Sequence, residues 1–141
     1  MFRTSLLAAV FAIGCLSTAS AAMLSFKATM SGKDEVPPTT STGSGDVLAT
    51  LNTTTKQLNY TMTYMGLTGP ATAAHFHGPA AAGQNAGVVI PIGTNPPSPS
   101  SGTVTLTDDQ MKDLEAGKWY ANVHTAANKG GEIRGQVLQV K

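Results

Sequence analysis

Cysteine is nearly absent from this 141-residue chain: there is one, Cys15, inside an apolar N-terminal stretch. Beyond residue 21 there is none, which excludes a disulfide framework, an iron–sulfur cluster and a thiolate zinc site from that part of the chain. Charge is scarce too, at 12% of residues. With Arg3 set aside, eight basic residues balance eight acidic ones, and such a neutral surface carries no electrostatic footprint for nucleic acid or anionic membrane. Phosphate-cradling glycine loops are missing, and no serine stands in a Gly-x-Ser-x-Gly elbow. After the N-terminal stretch no apolar run is long enough to span a membrane.

The first residues read as an address. Arg3 is a minimal positive start, LLAAVFAIGCL is an apolar stretch too short for a span, and Ala19-Ser20-Ala21 is a small-residue cleavage site. A signal peptide over residues 1–21 is therefore expected, followed by one domain over residues 22–141 that is exported to the periplasm or secreted. Ala12-Ile13-Gly14-Cys15 loosely fits a lipoprotein box, but Ala12 stands where a larger aliphatic residue is usual. The roughly 120 remaining residues suffice for one core and not for two.

Apolar residues then alternate with polar ones in short runs. Leu24–Met30, Asp46–Leu51, Leu58–Tyr64, Thr72–His77, Val88–Ile92, Gly102–Leu106, Lys118–Thr125 and Glu132–Val140 are eight expected strands. Thr107-Asp108-Asp109-Gln110 is a capping box that opens one short helix, Gly117 terminates it, and Met111 and Leu114 are its packing residues. This pattern predicts an all-β, antiparallel Greek-key β-sandwich or flattened barrel with one short helix. Gly93–Gly102, with its three prolines and no apolar anchor, is the expected mobile loop.

Histidine is the rare residue that clusters. The chain has three, His75 and His77 in TAAHFHGPA and His124 in YANVHTAANKGGEIRGQV. Residues two apart in a strand share a face, so His75 and His77 aim two imidazoles the same way while Phe76 turns into the core. Along the seventh strand His124 shares a face with Tyr120 and Asn122, opposite Trp119, Ala121 and Val123. Three imidazoles make a nitrogen-rich set suited to copper or zinc; each alone is more often a solvated or structural histidine. Gly130-Gly131 supplies a turn with positive backbone φ. Arg134 can attract an anion to a nearby metal or pair with Asp34, Glu35 or Glu132, the ion pair being the plainer reading. Glu132 is a further candidate, as an outer partner orienting a histidine.

The segments FKATMSGKDEVPP, GLTGPATAAHFHGPAAAGQNAGVV and LEAGKWYANVHTAANKGGEIRGQV, in this order, resemble the CHRD (chordin-type) domain. That resemblance implies an extracytoplasmic β-sandwich module. A second, more distant resemblance joins the copper ligands of copper-zinc superoxide dismutase. GLTGPATAAHFHG is similar to that family's Gly-Leu-Thr followed by His-x-His, and NVHTAANKGGEIRGQVLQV to its late Val-His strand, glycine turn and arginine. It implies copper ligation by His75, His77 and His124, with Arg134 as the anion-guiding catalytic residue. The bridging histidine, the zinc ligands and the cysteine pair of that family are missing, so no zinc subsite is expected.

Three functions follow as expectations: an exported domain holding one copper ion, with zinc as the other metal that fits; a copper-only dismutase using Arg134; and a metal-free module that binds an exported protein partner. Chelation separates the third from the others, and superoxide turnover separates the second from the first.

Overall fold

The computed structural model describes residues 22–141. The expected signal peptide and Cys15 lie outside the described residues. Eight strands form in chain order: β1 (Met23–Ser31), β2 (Ser44–Asn52), β3 (Gln57–Met65), β4 (Ala71–His77), β5 (Val88–Thr94), β6 (Ser100–Thr105), β7 (Trp119–Thr125) and β8 (Ile133–Val140). One α-helix, α1 (Asp108–Glu115), joins β6 to β7, and a 3-10 turn, Gly32–Asp34, follows β1.

The strands share one sheet, ordered β5-β4-β7-β8-β1-β2-β3-β6, in which every neighbouring pair is antiparallel. Laid flat, eight strands at about 4.8 Å spacing would place the outer two roughly 34 Å apart. Those two, β5 and β6, are joined through residues 95–99 alone, a link of at most about 20 Å. The sheet therefore curls into a nearly closed, flattened barrel, as the alternation predicts.

Period-two alternation sets which side chains enter it. Phe26, Ala28 and Met30 of β1, Val47, Ala49 and Leu51 of β2, and Leu58, Tyr60 and Met62 of β3 line the core, with the residues between them outside, all polar but Leu48. Phe76 of β4 meets Tyr60 edge-on, ring centroids 5.2 Å apart, and Trp119 of β7 at 6.0 Å. Such aromatic packing adds to the large apolar area these rings bury. At α1, the Thr107 hydroxyl accepts from the Gln110 amide at 3.2 Å while the Gln110 side chain accepts from the Thr107 amide at 2.9 Å. Leu114 is buried against the sheet and Met111 packs beside it.

The expected mobile loop is a correction. β5 and β6 take up half of Gly93–Gly102, and residues 95–99 are tied down: the Tyr64 hydroxyl donates to Pro96 O at 2.5 Å, and Ser98 Oγ donates to Tyr64 O at 2.9 Å. Pro96 is itself buried, an apolar anchor where none is expected.

The half made by β4, β7 and β8 differs from the other half. In β7 every residue but His124 is buried, on both faces. The inner face meets the core. The outer face is covered by residues 78–87, which carry no large apolar group and dock through polar ones. Gln136 Nε2 donates to Ala80 O at 2.9 Å, Ala80 N to Lys118 O at 2.8 Å, and the Tyr120 hydroxyl to Ala86 O at 3.2 Å. Beneath this covering segment lies the histidine site.

Candidate metal centre

β4 and β7 pair so that Ala73 faces His124 and His75 faces Asn122, with His77 opposite Tyr120. Strand phase does the rest. Phe76, Trp119, Ala121 and Val123 fill the core, leaving His75, His77, Tyr120, Asn122 and His124 together on the outer face. The three imidazoles converge: one nitrogen from each lies within 4.8 Å of the other two. His75 Nδ1 and His124 Nε2 are 3.1 Å apart. With metal–nitrogen bonds of about 2.0 Å, that separation corresponds to an angle of about 100° at a shared ion. Opposite ligands of such an ion are about 4 Å apart, so closure of the whole set needs about an ångström of side-chain rotation.

The outward ends of two rings are fixed. His77 Nδ1–H donates to Ala86 O at 3.0 Å, in the covering segment, and His124 Nδ1–H donates to Lys129 O at 2.8 Å, in the β7–β8 turn. A backbone carbonyl only accepts, so each Nδ1 carries the proton and each neutral ring keeps its Nε2 lone pair for the cluster. His77 is further held by stacking, at 4.7 Å and 1° from parallel, on the Tyr120 ring. Burial lowers the His75 pKa from its ordinary value, and the charges that His124 and His77 can carry lower it further. Burial lowers His77 as well, against its hydrogen bonds to Ala86 and Asn122 and with the help of His124 and Arg134. Both shifts favour the neutral form of His75 and His77, the form that binds metal.

Arg134 lies on β8, opposite Asn122 of β7. Its guanidinium carbon sits 3.4 Å from the centroid of the Tyr120 ring. Since that close contact and the His77 stack cannot occupy one face of the ring, Tyr120 separates the arginine from the histidine. Arg134 is 2% exposed, and its donors go to Asn85 Oδ1 at 2.9 Å and to Gln84 O. It takes part in none of the ion pairs among the described residues, and its charge acts on a carboxylate, Glu35, without a direct contact. Arg134 is used to pin the covering segment.

Glu132 is also placed differently from expectation. Its carboxylate touches none of the histidines. It accepts from Ser41 Oγ (2.6 Å), Thr68 N (2.7 Å), Thr68 Oγ1 (2.6 Å), Thr125 Oγ1 (2.6 Å) and Asn128 Nδ2 (3.2 Å). The backbone bends between Gly131 (φ 126°) and β8, which turns this side chain toward the barrel end. Glu132 thus acts on the site at one remove, by holding the turn that carries the Lys129 carbonyl.

Two residues enter the site in roles that the sequence does not assign them. Asn122 Oδ1 stands 3.0 Å from His77 Nε2 and 2.9 Å from His124 Nε2. Behind it lies Glu35, 4% exposed. Burial raises the Glu35 pKa, opposed by the Val36 amide, the Arg134 charge and Asn122. Asn122 was legible as a face-mate of His124. Glu35 was legible only as a candidate partner of Arg134, because its place depends on the 3-10 turn that precedes it.

A family model for the CHRD domain matches residues 26–137, most of the chain. The chain belongs to the CHRD domain family. The three motif segments read in the sequence fall within or overlap that span, as do all the site residues named above. No curated protein and no solved structure matches the chain. The likeness to copper-zinc superoxide dismutase rests on the sequence motifs alone. In this CHRD domain the three-histidine cluster has the composition and spacing to hold a metal ion. No helix among the described residues is long and apolar enough to cross a membrane.

Proposed function

We propose that this CHRD protein is an exported metal-binding domain that holds one copper ion through His75, His77 and His124. One observation carries the reading: two imidazoles are anchored by Nδ1–H to fixed carbonyls, and each of the three rings offers a nitrogen within 4.8 Å of the other two. A solvated histidine pair has no need of such anchoring, whereas metal-ligating histidines regularly donate their second nitrogen in this way. Neutral nitrogen donors without thiolate favour copper, which binds such sites more tightly than the other divalent first-row metals, zinc included. The role that fits is copper carriage, buffering or redox protection outside the cytoplasm. Export rests on the leader read at residues 1–21, with the domain beginning near Ala22.

The test is equilibrium titration of the purified protein with Cu(II) and Zn(II) against a competing chelator. One equivalent of Cu(II) is expected to bind, more tightly than Zn(II). His77→Ala is expected to weaken it by more than the about 10–100-fold that a lost outer partner costs. Stoichiometric binding that survives replacement of all three histidines would sink the proposal.

A further inference from the structure

Asn122 faces the cluster in a way that hydrogen bonding alone does not explain. The protons of His77 and His124 are committed at Nδ1 to Ala86 O and Lys129 O, so both Nε2 atoms are bare lone pairs when the rings are neutral. Yet both sit 2.9–3.0 Å from Asn122 Oδ1, which is also an acceptor. Three lone-pair atoms meet with no proton between them, an arrangement that is repulsive unless a cation lies among them.

We infer that the Asn122 side-chain oxygen is a fourth ligand, so that the centre is a three-nitrogen, one-oxygen site; this rests on the three-histidine reading above. The spacing agrees. The His77–Asn122, His124–Asn122 and His75–His124 separations of 3.0, 2.9 and 3.1 Å match the edges of a coordination shell with bonds of about 2.0–2.1 Å.

The far side of the amide gives an independent reason. Glu35 Oε1 is the one buried side-chain polar atom among the described residues that has no hydrogen-bond partner. A methyl group on Gly131 would strike both that oxygen and Asn122 Nδ2, the latter at 2.7 Å. Carboxyl and amide nitrogen therefore share one small space, closed by a residue without a side chain. Glu35 draws Nδ2 toward itself and leaves Oδ1 turned to the imidazoles. It is a positioning residue, one amide away from the proposed cation. Reversing the amide moves the conflict to an ionised Glu35, because Oδ1 would then face the carboxylate; only a protonated Glu35 would accept that orientation.

The consequence is a preference in oxidation state. An amide oxygen is a harder ligand than imidazole and suits Cu(II) or Zn(II) better than Cu(I). Asn122 therefore stabilises the oxidised metal, and its loss raises the Cu(II)/Cu(I) potential.

The direct test is a crystal structure of the purified protein loaded with one equivalent of Zn(II) or Cu(II). Asn122 Oδ1 is expected at about 2.0–2.2 Å from the ion. An ion on three imidazoles with Oδ1 beyond about 3 Å would overturn the inference while leaving the three-histidine site intact. So would an amide turned over, with Nδ2 donating to the imidazoles and a protonated Glu35. An ion absent from the histidines would instead overturn the reading on which the inference depends. In solution, Asn122→Ala is expected to weaken Zn(II) binding about 10–100-fold and to raise the copper potential. Asn122→Asp, which keeps an oxygen at that position, is expected to bind within about tenfold of the parent and to lower the potential. Equal affinities and potentials in the parent and both folded variants, checked by circular dichroism, would count against Asn122 as a ligand.

Discussion

Glu132 has no exposed surface, yet its pKa is lowered to about 2. Burial by itself opposes ionisation, and the hydrogen bonds from Ser41, Thr125 and Thr68 outweigh it. Because the folded-state pKa is depressed, the carboxylate contributes stability at pH values above its unfolded pKa, near 4.5. That contribution is lost as pH falls from there toward about 2. Glu132→Gln is therefore expected to cost about 2–4 kcal/mol at neutral pH and to flatten the acid limb of stability, read from urea midpoints across that range. An acid limb as steep in the variant as in the parent would contradict this assignment. The same contrast explains what single residues reveal in a sequence. His75 and His77 could be placed because period-two phase is local, whereas Glu132 is placed by partners up to 93 residues away.

Among the elements, the β7–β8 turn sets the geometry of the site most directly. It carries the Lys129 carbonyl that holds His124, and it passes between Asn122 and Glu35 at Gly131. Gly131 has φ 126°, which side-chain-bearing residues rarely adopt, and a Cβ there would enter the space of the carboxyl and the amide. Gly131→Ala is expected to destabilise the fold by about 1–3 kcal/mol, measured by chemical denaturation, and to weaken metal binding as Asn122 is pushed aside. Unchanged stability would show that the turn relaxes freely. The strands and α1 were legible because alternation and the Thr107–Gln110 capping box are short-range signals with a physical cause. The 3-10 turn at Gly32–Asp34 was not, being too short to show any period. Residues 95–99 read as free because prolines mark a loop without saying which tyrosine will hold it.

At the scale of the whole molecule, the two halves of the sheet do different work. β1, β2 and β3 alternate buried and exposed along their length, the pattern of a sheet with one face in water. β7 is buried on both faces, because residues 78–87 cover it from outside. That cover was invisible in AAAGQNAG, which has no large apolar group; it is held by Tyr120, Arg134 and Gln136 reaching up from the strands. A polar outer face on a covered sheet is costly unless its groups are satisfied, and here Arg134 and Gln136 are satisfied by carbonyls and the Asn85 amide of the cover and by Gly117 O. The CHRD fold thus supplies a rigid strand pair, and the covering segment and turn supply the carbonyls that orient its imidazoles.

The central claim is that three imidazoles from β4 and β7 bind one ion. The most direct measurement is electron paramagnetic resonance of the protein with one equivalent of Cu(II), counting the nitrogens coupled to the metal. Three imidazole nitrogens are expected, falling to two in His75→Ala. A spectrum without imidazole coupling, or one unchanged when His75, His77 and His124 are all replaced, would contradict the account.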